Sequence, residues 1–399
     1  MSAQILQPFG LKSQAVNFQT LPPLSLYIHI PWCVRKCPYC DFNSHEVRTG
    51  LPEEAYVDAL LRDLEQSLPL IWGRKIYTIF LGGGTPSLLS GAALTRLLSE
   101  VRQRLPLAHD AEITLEANPG TVEADKFAAF RDAGITRLSM GIQSFNDAHL
   151  QALGRIHSAD EARRAIAIAQ QHFDNFNLDL MYALPQQTLA QALQDVETAL
   201  TFAPQHLSCY HLTLEPNTLF ARHPPALPDD DASSEMQVAI EELLAAHGYQ
   251  HYETSAFALP KKQSRHNLNY WQFGDYLGIG AGAHSKLSFH DQVLRQARYK
   301  QPQAYMDAVA KLSPVQTEEK LARDDLTFEF MMNALRLNDG FTEGLFQERT
   351  SLPLLLIRHQ LAEAEQRGLL SRDQQRIVPT QLGRRFLNDL LQIFLVAEN

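Results

Sequence analysis

Cys33-Val34-Arg35-Lys36-Cys37-Pro38-Tyr39-Cys40 places three cysteines within eight residues, in the spacing C-x3-C-x2-C. The chain has four cysteines in all, and the fourth, Cys209, lies in an apolar segment where a core thiol is expected. Residues 24–31, LSLYIHIP, are apolar and β-branched enough to predict a buried parallel strand that ends at a proline. The three thiols therefore lie on a loop at the carboxyl end of a strand, where α/β folds carry their chemistry.

Three thiols in one short loop need a common ligand, because a disulfide would use two and leave the third unpaired. An iron–sulfur cubane held by three thiolates leaves one iron open for an outside ligand. Two other interpretations stay open at this point. The cysteines could be unrelated structural residues. They could also bind zinc with a fourth ligand such as His29 or His45, although zinc sites usually pair two C-x2-C units and the sequence has one.

The cysteine loop resembles the signature of the radical S-adenosylmethionine (SAM) superfamily. Within it, the segment from Tyr27 to Cys33, YIHIPWC, with Tyr39 and Phe42, resembles the oxygen-independent coproporphyrinogen III oxidase group. The resemblance runs from Leu24 to the C-terminus and is nearest to the heme-chaperone branch of that group. It implies that SAM binds beside a [4Fe–4S] cluster. The implied cluster ligands are Cys33, Cys37 and Cys40.

The overall composition argues against several classes of protein. The 399 residues carry a formal net charge of −10 without a long basic run, which argues against nucleic acid as a partner. No segment approaches the ~18 consecutive apolar residues of a membrane span, and no basic-then-apolar leader precedes Leu24. Few and clustered cysteines fit a reducing compartment. We therefore expect a cytoplasmic protein, and a peripheral contact with a membrane stays open.

A glycine run follows the second predicted strand. Residues 75–81 have a strand composition and lead into Gly82-Gly83-Gly84-Thr85-Pro86. Backbone without side chains lets a small ligand approach closely, and its free amides bind carboxylate or carbonyl oxygens. A glycine run alone is more often an ordinary loop. Its place after a strand resembles the family motif that contacts SAM, and it does not fit the G-x-G-x-x-G of nicotinamide sites.

Strand and helix patterns alternate regularly over the first half of the chain. Six predicted strands, each followed by a helix or a connection, indicate a parallel sheet that closes part-way into a barrel. The predicted fold class is therefore α/β, a partial (β/α)6 radical-SAM barrel. Besides the two strands above, strands are predicted at 111–116, 135–140, 176–181 and 206–213, with helices from 52 and at 122–133, 159–171 and 188–200.

Polar residues recur where these strands end, and each has an ordinary structural interpretation. Glu116 could cap a turn, and Arg155 could form a surface ion pair. Gln143 and Asp179 could satisfy buried backbone groups. Polar groups that converge on one barrel mouth are costly to bury without a ligand, which favours a binding site. The SAM-binding residues that the resemblance implies are Tyr27, Tyr39, Gly83, Gly84, Thr85, Glu116, Gln143, Arg155 and Asp179.

Three blocks after the barrel extend the resemblance, at residues 251–258, 266–271 and 275–285. The second, HNLNYW, is the block that marks the heme-chaperone branch. The resemblance implies that His266 takes part in heme binding, because a histidine beside flat rings suits axial ligation of iron. A histidine satisfied by hydrogen bonds among core aromatics explains the same pattern equally well.

The chain changes character near residue 300, from alternating strands to helices with polar connections. This order is typical of a small C-terminal winged-helix-like α+β domain, and without a basic recognition face we expect a lid or a partner-docking role. Helices are predicted at 324–335, 342–349 and 353–367, with a hairpin over 368–380 and a helix from 381. The predicted domains are an N-terminal tail (1–23), the barrel with its extension (24–300) and the C-terminal domain (301–399).

One position separates the two activities of the group. The bacterial oxidase carries a fourth cysteine two residues after the motif, and Phe42 stands there in this chain. The resemblance therefore implies a chaperone that binds heme and transfers it to acceptor hemoproteins such as respiratory cytochromes, with homodimerisation favoured by the cluster. The main alternative is the SAM-dependent oxidase, which converts coproporphyrinogen III to protoporphyrinogen IX. A zinc-stapled interaction protein is the third interpretation.

Overall fold

Six parallel strands in sequence order form the wall of an open barrel. They belong to a computed structural model that describes residues 16–47, 50–121, 124–373 and 375–395. Most residues of the first strand are buried, as its apolar composition predicts. The partial (β/α)6 barrel is therefore confirmed. Its strands are β1 Leu24–Ile30, β2 Ile76–Gly83, β3 Leu107–Ala117, β4 Arg137–Gln143, β5 Phe176–Tyr182 and β6 His206–His211.

Helices connect these strands and bury their apolar faces in the main core. The sequence sets several of their starts, since Ser158 and Thr188 each form a capping box with a Glu or Gln three residues later. Short helices at Asp147–Ala152 and Leu219–Arg222 lie in the connections after β4 and β6. The longer helices are α1 Glu53–Ser67, α2 Gly91–Arg104, α3 Ala124–Ala133, α4 Ala159–His172, α5 Leu189–Leu200 and α6 Asp230–Ala246.

The sheet is wider than the six predicted strands. β9 adds in parallel to the outer edge of β1, and antiparallel strands extend both edges to a total of 12 in the described chain. The order across the sheet is β12-β11-β10-β9-β1-β2-β3-β4-β5-β6-β8-β7. The added strands are β7 Gln250–Glu253, β8 Ala256–Ala258, β9 Asp275–Ile279, β10 His284–Ser288, β11 Val293–Arg298 and β12 Val315–Lys320, with α7 Arg265–Trp271 between β8 and β9.

Several helices differ from the predicted ones, and α7 and the short helices at Asp147–Ala152 and Leu219–Arg222 were not predicted. Helix α2 was not predicted, although Ser90 caps it through the amide of Ala93 and its apolar residues recur at helical spacing. The helix predicted at 353–367 is divided into a 3-10 turn, Leu354–Ile357, and a helix, Arg358–Gln366. The predicted helix at 122–133 is described from Ala124 onward, because residues 122 and 123 lie outside the described residues.

The C-terminal region contains the predicted helices and hairpin, packed on a second core. In contrast, α8 (Pro302–Ala310) buries Tyr305 and Val309 in the barrel core, and β12 pairs with β11. The predicted domain division at residue 300 stays a prediction. The C-terminal elements are α9 Arg323–Ala334, β13 Phe341–Thr342, α10 Glu343–Thr350, α11 Arg358–Gln366, β14 Leu370–Arg372, β15 Arg376–Pro379, α12 Gln381–Arg385 and α13 Leu387–Gln392.

The segment before β1 packs on the C-terminal region where it is described. Phe18 is buried in the second core, near Phe273 and Phe330, and its amide donates to the carbonyl of His290 over 2.9 Å. Residues 1–15, most of the predicted tail, lie outside the described residues. In the described parts of the chain, no helix combines the length and apolar character needed to span a bilayer.

Candidate cofactor site at the barrel mouth

The loop of three cysteines is tied to the carboxyl ends of β1 and β2. Trp32–Cys33 pairs in parallel with His45–Glu46 and closes the loop at its base. The amide of Thr85 donates to the carbonyl of Trp32 over 2.7 Å. A Cβ at Gly84 would lie 2.5 Å from the same carbonyl oxygen, so only glycine fits at this close approach. The glycine run therefore supports the cysteine loop directly.

Hydrogen-bond donors point at two of the three thiols. Thr85 Oγ1 donates to Cys33 Sγ over 3.5 Å, and Arg155 Nη1 lies 3.6 Å from Cys37 Sγ. Burial raises the pKa of the thiols of Cys33 and Cys40, and the contact from Thr85 acts in the opposite direction at Cys33. Donors at sulfur favour the thiolate, which is the form that binds iron. Three sulfur ligands with donors beside them fit an iron–sulfur cluster.

The histidines that a zinc site would use already have partners. His29 Nδ1 lies 2.9 Å from the hydroxyl of Tyr27, and His29 Nε2 lies 2.8 Å from the carbonyl oxygen of Asn43. His45 Nε2 lies 3.3 Å from the carbonyl oxygen of Lys300. Across the described residues, no three His, Cys, Asp or Glu side chains gather closely enough to hold a single metal ion.

Arg155 is held at the mouth by the backbone of β4. Its Nη2 donates to the carbonyl of Gly141 over 2.8 Å, while its buried Nε has no hydrogen-bond partner among the described residues. Its contacts are with this carbonyl, the Cys37 thiol and the Tyr39 side chain, and no described carboxylate pairs with it. A surface ion pair of Arg155 is therefore not seen among the described residues. The guanidinium is available to an anionic ligand.

Two buried carboxyl groups in the mouth interact through their charges. Glu116 Oε2 accepts from the amide of Gly83 over 3.1 Å. Asp179 accepts from Asn177 Nδ2 over 2.7 Å and from Ser139 Oγ over 3.1 Å. Burial raises the pKa of Glu116 to about 8, with the nearby Asp179 carboxylate adding to the effect, and burial also raises the pKa of Asp179. Each carboxyl keeps acceptor capacity for amino or hydroxyl groups of a ligand.

A bulge in β4 places Gln143 at the mouth. The register with β5 shifts between Gly141 and Gln143, and Gln143 has a φ of +69°, which is unusual for a residue with a side chain. Tyr39 packs on Phe220, with ring centroids 6.3 Å apart. Hydrogen bonds, ring contacts and charge interactions bring the thiols together with the nine predicted SAM residues, Tyr27, Tyr39, Gly83, Gly84, Thr85, Glu116, Gln143, Arg155 and Asp179.

His266, the predicted heme residue, lies against the outer part of β2. Its Nδ1 is 2.7 Å from Thr78 Oγ1 and its Nε2 is 3.2 Å from the hydroxyl of Tyr270. The ring stacks on Phe80 at 5.0 Å, and the residue is 1% exposed. Burial lowers the pKa of His266 to about 3, so the ring stays neutral. Both ring nitrogens have partners, and heme ligation by His266 stays a prediction.

A cavity of about 570 Å³ opens beside the cysteine loop, toward the ends of β9 and β10. Phe42, at the position of the oxidase's fourth cysteine, lines it and is 61% exposed. Sequence reasoning gave no role to two other lining residues, Asn43 and His284. The available signal for His284 was its place in the block at 275–285. For Asn43 there was none, because its importance comes from contacts with residues far along the chain.

Comparisons with known proteins agree with this geometry. The model of the Radical SAM superfamily matches residues 27–199, and that of the HemN C-terminal domain matches residues 321–386. The chain is 51% identical to the heme chaperone HemW of Escherichia coli (strain K12), over 94% of this chain and 99% of that protein. It is 47% identical to the heme chaperone HemW of Haemophilus influenzae, over 95% of this chain and 99% of the relative.

A solved structure supports the radical SAM fold of this chain. The coproporphyrinogen III oxidase HemN from Escherichia coli, described as a radical SAM enzyme, superposes with a TM-score of 0.80 at 25% identity. The superposition covers 94% of this chain and 90% of that one. The chain therefore belongs to the radical SAM superfamily and, within it, to the family of the heme chaperone HemW.

Proposed function

We propose that this protein is a heme chaperone, which binds heme and delivers it to acceptor hemoproteins such as respiratory cytochromes. The observation that carries the proposal is the likeness to heme chaperones over 94% of this chain and 99% of the Escherichia coli relative. Phe42 at the position of the oxidase's fourth cysteine supports the same conclusion. Heme is then cargo, and the protein must both hold and release it.

Membership of the radical SAM superfamily implies a [4Fe–4S] cluster and SAM as cofactors. We assign the cluster to Cys33, Cys37 and Cys40, whose donor set fits it. When bound, the cluster supplies an open iron that can take the amino and carboxylate groups of SAM. Around it, the chain supplies thiolate ligands and the donors that stabilise them. Replacing one thiolate leaves two, too few to hold a cubane.

We assign the SAM site to the polar groups of the barrel mouth. Arg155, which pairs with no carboxylate in the described part of the chain, neutralises the negative charge of a bound ligand. Glu116 and Asp179 accept hydrogen bonds from amino and hydroxyl groups. Tyr27 and Tyr39 cover the site with ring surface and limit the entry of water. The other residues of the proposed site are Gly83, Gly84, Thr85 and Gln143.

We further propose that the protein acts in the cytoplasm, forms a homodimer when the cluster is present, and contacts the membrane at its surface. The clustered cysteines support a reducing compartment. Respiratory acceptors in a membrane would require such a contact during delivery. Size-exclusion chromatography with light scattering, with and without the cluster, tests the dimer.

Heme transfer provides the test of the main proposal. Anaerobically reconstituted protein is loaded with heme, freed of excess, and mixed with an apo-cytochrome that is then separated and analysed by its absorbance spectrum. We expect stable heme binding and transfer to the apo-cytochrome, without a tetrapyrrole product. Failure of the protein to bind heme, or to pass it on, would overturn the proposal.

The structural likeness to HemN keeps the oxidase as a second candidate. Incubation of the same preparation with coproporphyrinogen III, SAM and a reductant tests it. The oxidase would form protoporphyrinogen IX and consume SAM. We expect no such product, and a measured turnover would replace the chaperone by the enzyme.

A further inference from the structure

The cavity beside the cysteine loop has the size and lining of a ligand site. Its volume of about 570 Å³ lies within the range of ~300–1,000 Å³ typical of small-molecule pockets. Aromatic, basic and histidine side chains share its wall. The lining residues that matter here are Tyr27, Tyr270, Tyr276, His284, Lys36 and Lys300.

We propose that this cavity is the heme site, with His284 as axial ligand of the iron and Lys36 and Lys300 as partners of the propionates. The proposal rests on the function proposed above and names the residues that carry it out. In this proposal His284, and not His266, binds the iron. The heme lies on the other side of Tyr270 from His266.

The imidazole of His284 is free to bind iron. His284 is exposed at the cavity wall, and among the described residues no hydrogen bond reaches either of its ring nitrogens. The other histidines near the loop differ in this respect. His29, His45 and His266 each have a partner within 3.3 Å at one or both nitrogens. An axial ligand needs a ring nitrogen with an open lone pair, and His284 has two candidates.

Tyrosine rings form a wall that suits a flat macrocycle. Tyr270 and Tyr276 meet edge to face, with centroids 4.5 Å apart at 78°. Tyr27 stacks on Phe80 at 6.3 Å and adds a third ring to the lining. Aromatic surface of this kind buries a large apolar ligand, and each hydroxyl offers a polar contact at the rim.

Charge at the rim favours an anionic ligand. Lys36 and Lys300 are both exposed and both line the cavity, and Asp41 is the acidic side chain in the same wall. Lys36 Nζ donates to the carbonyl of Phe42 over 3.1 Å, which holds it at this edge while leaving other donors free. Two propionates would meet two ammonium groups there.

Asn43 fixes His284's strand to the cysteine loop. Its Nδ2 donates to the carbonyls of Ala281 and Lys300, each over 2.9 Å. Gly282, two residues before His284, has a φ of +81°, and a Cβ there would lie 2.3 Å from Asn43 Nδ2. Asn43 therefore holds the loop that carries Cys40 beside the turn that carries His284. Heme in this cavity would lie next to the cluster loop.

His266 keeps a role through Tyr270. Because its Nε2 contacts the Tyr270 hydroxyl at 3.2 Å, it orients a ring of the cavity wall. We regard it as a positioning residue. This explains how a buried histidine with two engaged nitrogens can matter for heme binding without touching iron.

Heme titration of the full-length, cluster-loaded protein tests the ligand. We expect His284→Ala to weaken heme affinity by about tenfold or more, since even residues behind a metal ligand contribute about 10–100-fold, and to change the spectrum of the bound heme. The matched control is His109→Ala. His109 is 97% exposed at the amino end of β3, away from the mouth, and its loss should leave affinity and spectrum unchanged.

Imidazole rescue separates a ligand from a structural residue. In His284→Gly, added imidazole should occupy the vacated space and restore the wild-type heme spectrum. In His266→Ala, we expect weaker binding that imidazole does not restore, with the axial-ligand signature of the remaining complex unchanged. If His266→Ala loses the signature while His284→Ala keeps it, the assignment to His284 is wrong.

Esterified heme tests the lysines. Lys36→Ala and Lys300→Ala should each weaken heme binding by roughly two- to fivefold, the size of an exposed ion pair. Neither should affect binding of heme dimethyl ester, whose propionates carry no charge. Equal losses with both ligands would contradict propionate contacts.

These outcomes distinguish a failure of the chaperone function from a failure of the heme site at His284. If the wild-type protein binds no heme, the chaperone function itself fails. If the wild type binds and transfers heme while His284→Ala does so with the same affinity and spectrum, the function stands and this site is wrong. A loss confined to His284→Ala, with rescue by imidazole in His284→Gly, supports both.

Discussion

Two buried polar clusters in this protein use the same residue types and differ in whether they are complete. Behind the sheet, Asp63 and Arg298 form a fully buried ion pair at 3.1 Å. The hydroxyl of Tyr305 donates to Asp63 over 2.9 Å, and Arg298 also donates to Ser67 Oγ over 2.9 Å. These partners satisfy the pair within the protein, so this cluster needs no ligand.

The second polar cluster, at the barrel mouth, is incomplete within the described residues. Among the described residues Arg155 has no carboxylate partner and its buried Nε has no hydrogen bond, although Glu116 and Asp179 lie in the same mouth. Three thiols face the same space. A buried polar group without a partner costs free energy. Other arginines of the described chain also have an unpartnered nitrogen, but at the mouth Arg155 lies with three thiols and two carboxyl groups, which favours a ligand there. The contrast distinguishes a cluster that stabilises the fold from one that awaits a cofactor.

The largest expected effect is at the complete cluster. Arg298→Met removes one partner and leaves the Asp63 carboxylate buried and uncompensated. We expect the free energy of unfolding to fall by about 3–5 kcal/mol, measured by urea denaturation of the cofactor-free protein. Arg367→Ala, in an exposed pair with Glu363, serves as control and should change stability little. A loss at Arg298 no greater than at Arg367 would remove the distinction between the clusters.

A smaller loss is expected from the backbone of the mouth. Gly83 has a φ of +113°, and a Cβ there would lie 2.5 Å from Cε1 of His29. Gly83→Ala should therefore lower the free energy of unfolding by about 1–3 kcal/mol. The control is Gly344→Ala in α10, where the nearest atom to the new Cβ is 3.9 Å away, and stability should stay equal or rise. Equal effects at both glycines would contradict strain at the mouth.

The pH dependence of stability tests directly whether the buried Glu116 carboxyl at the barrel mouth lacks a partner for its charge. Burial raises the pKa of Glu116 from 4.5 to about 8. Between these two values the folded state holds a proton that the unfolded state has released, so this residue makes stability fall as pH rises. Glu116→Gln should make the fall shallower over that range in cofactor-free protein. Denaturation at several pH values measures it, with the exposed Glu363→Gln as control. An unchanged slope in Glu116→Gln would show that this carboxyl is ordinary.

The smallest effect on stability is expected from Arg155→Met. The substitution matches Arg298→Met in chemistry, yet Arg155 is half-buried and leaves no paired carboxylate behind. We expect a change of about 1 kcal/mol or less, together with weaker SAM binding to cluster-loaded protein by calorimetry. A loss as large as that of Arg298→Met would mean that Arg155 is structural.

The sequence predicted those elements whose local pattern is sufficient. Strands β1 and β2 are rich in apolar and β-branched residues, and the caps at Ser158 and Thr188 are local. Strands β7–β12 were not predicted. Several pair with a sequence neighbour, as β7 does with β8 and β10 with β11, but β9 joins β1 and β8 joins β6 across long sequence separations, which composition does not encode. The functional site shows the same difference between local pattern and long-range contact. Strand-end residues were found from position and resemblance, whereas the contacts of Asn43 and the free ring of His284 depend on residues brought together by the fold.

Iron and sulfide content tests the central claim most directly, because the cofactor site proposed at the barrel mouth depends on the cluster. The preparations are wild type, Cys37→Ala and Cys209→Ala, purified and reconstituted without oxygen. Cys209 is a core thiol whose pKa burial raises to about 12, so it should not contribute. We predict about four iron and four sulfide per chain in wild type and in Cys209→Ala, and loss of both in Cys37→Ala. Full occupancy in Cys37→Ala, or a wild type without iron and sulfide, would contradict the assignment.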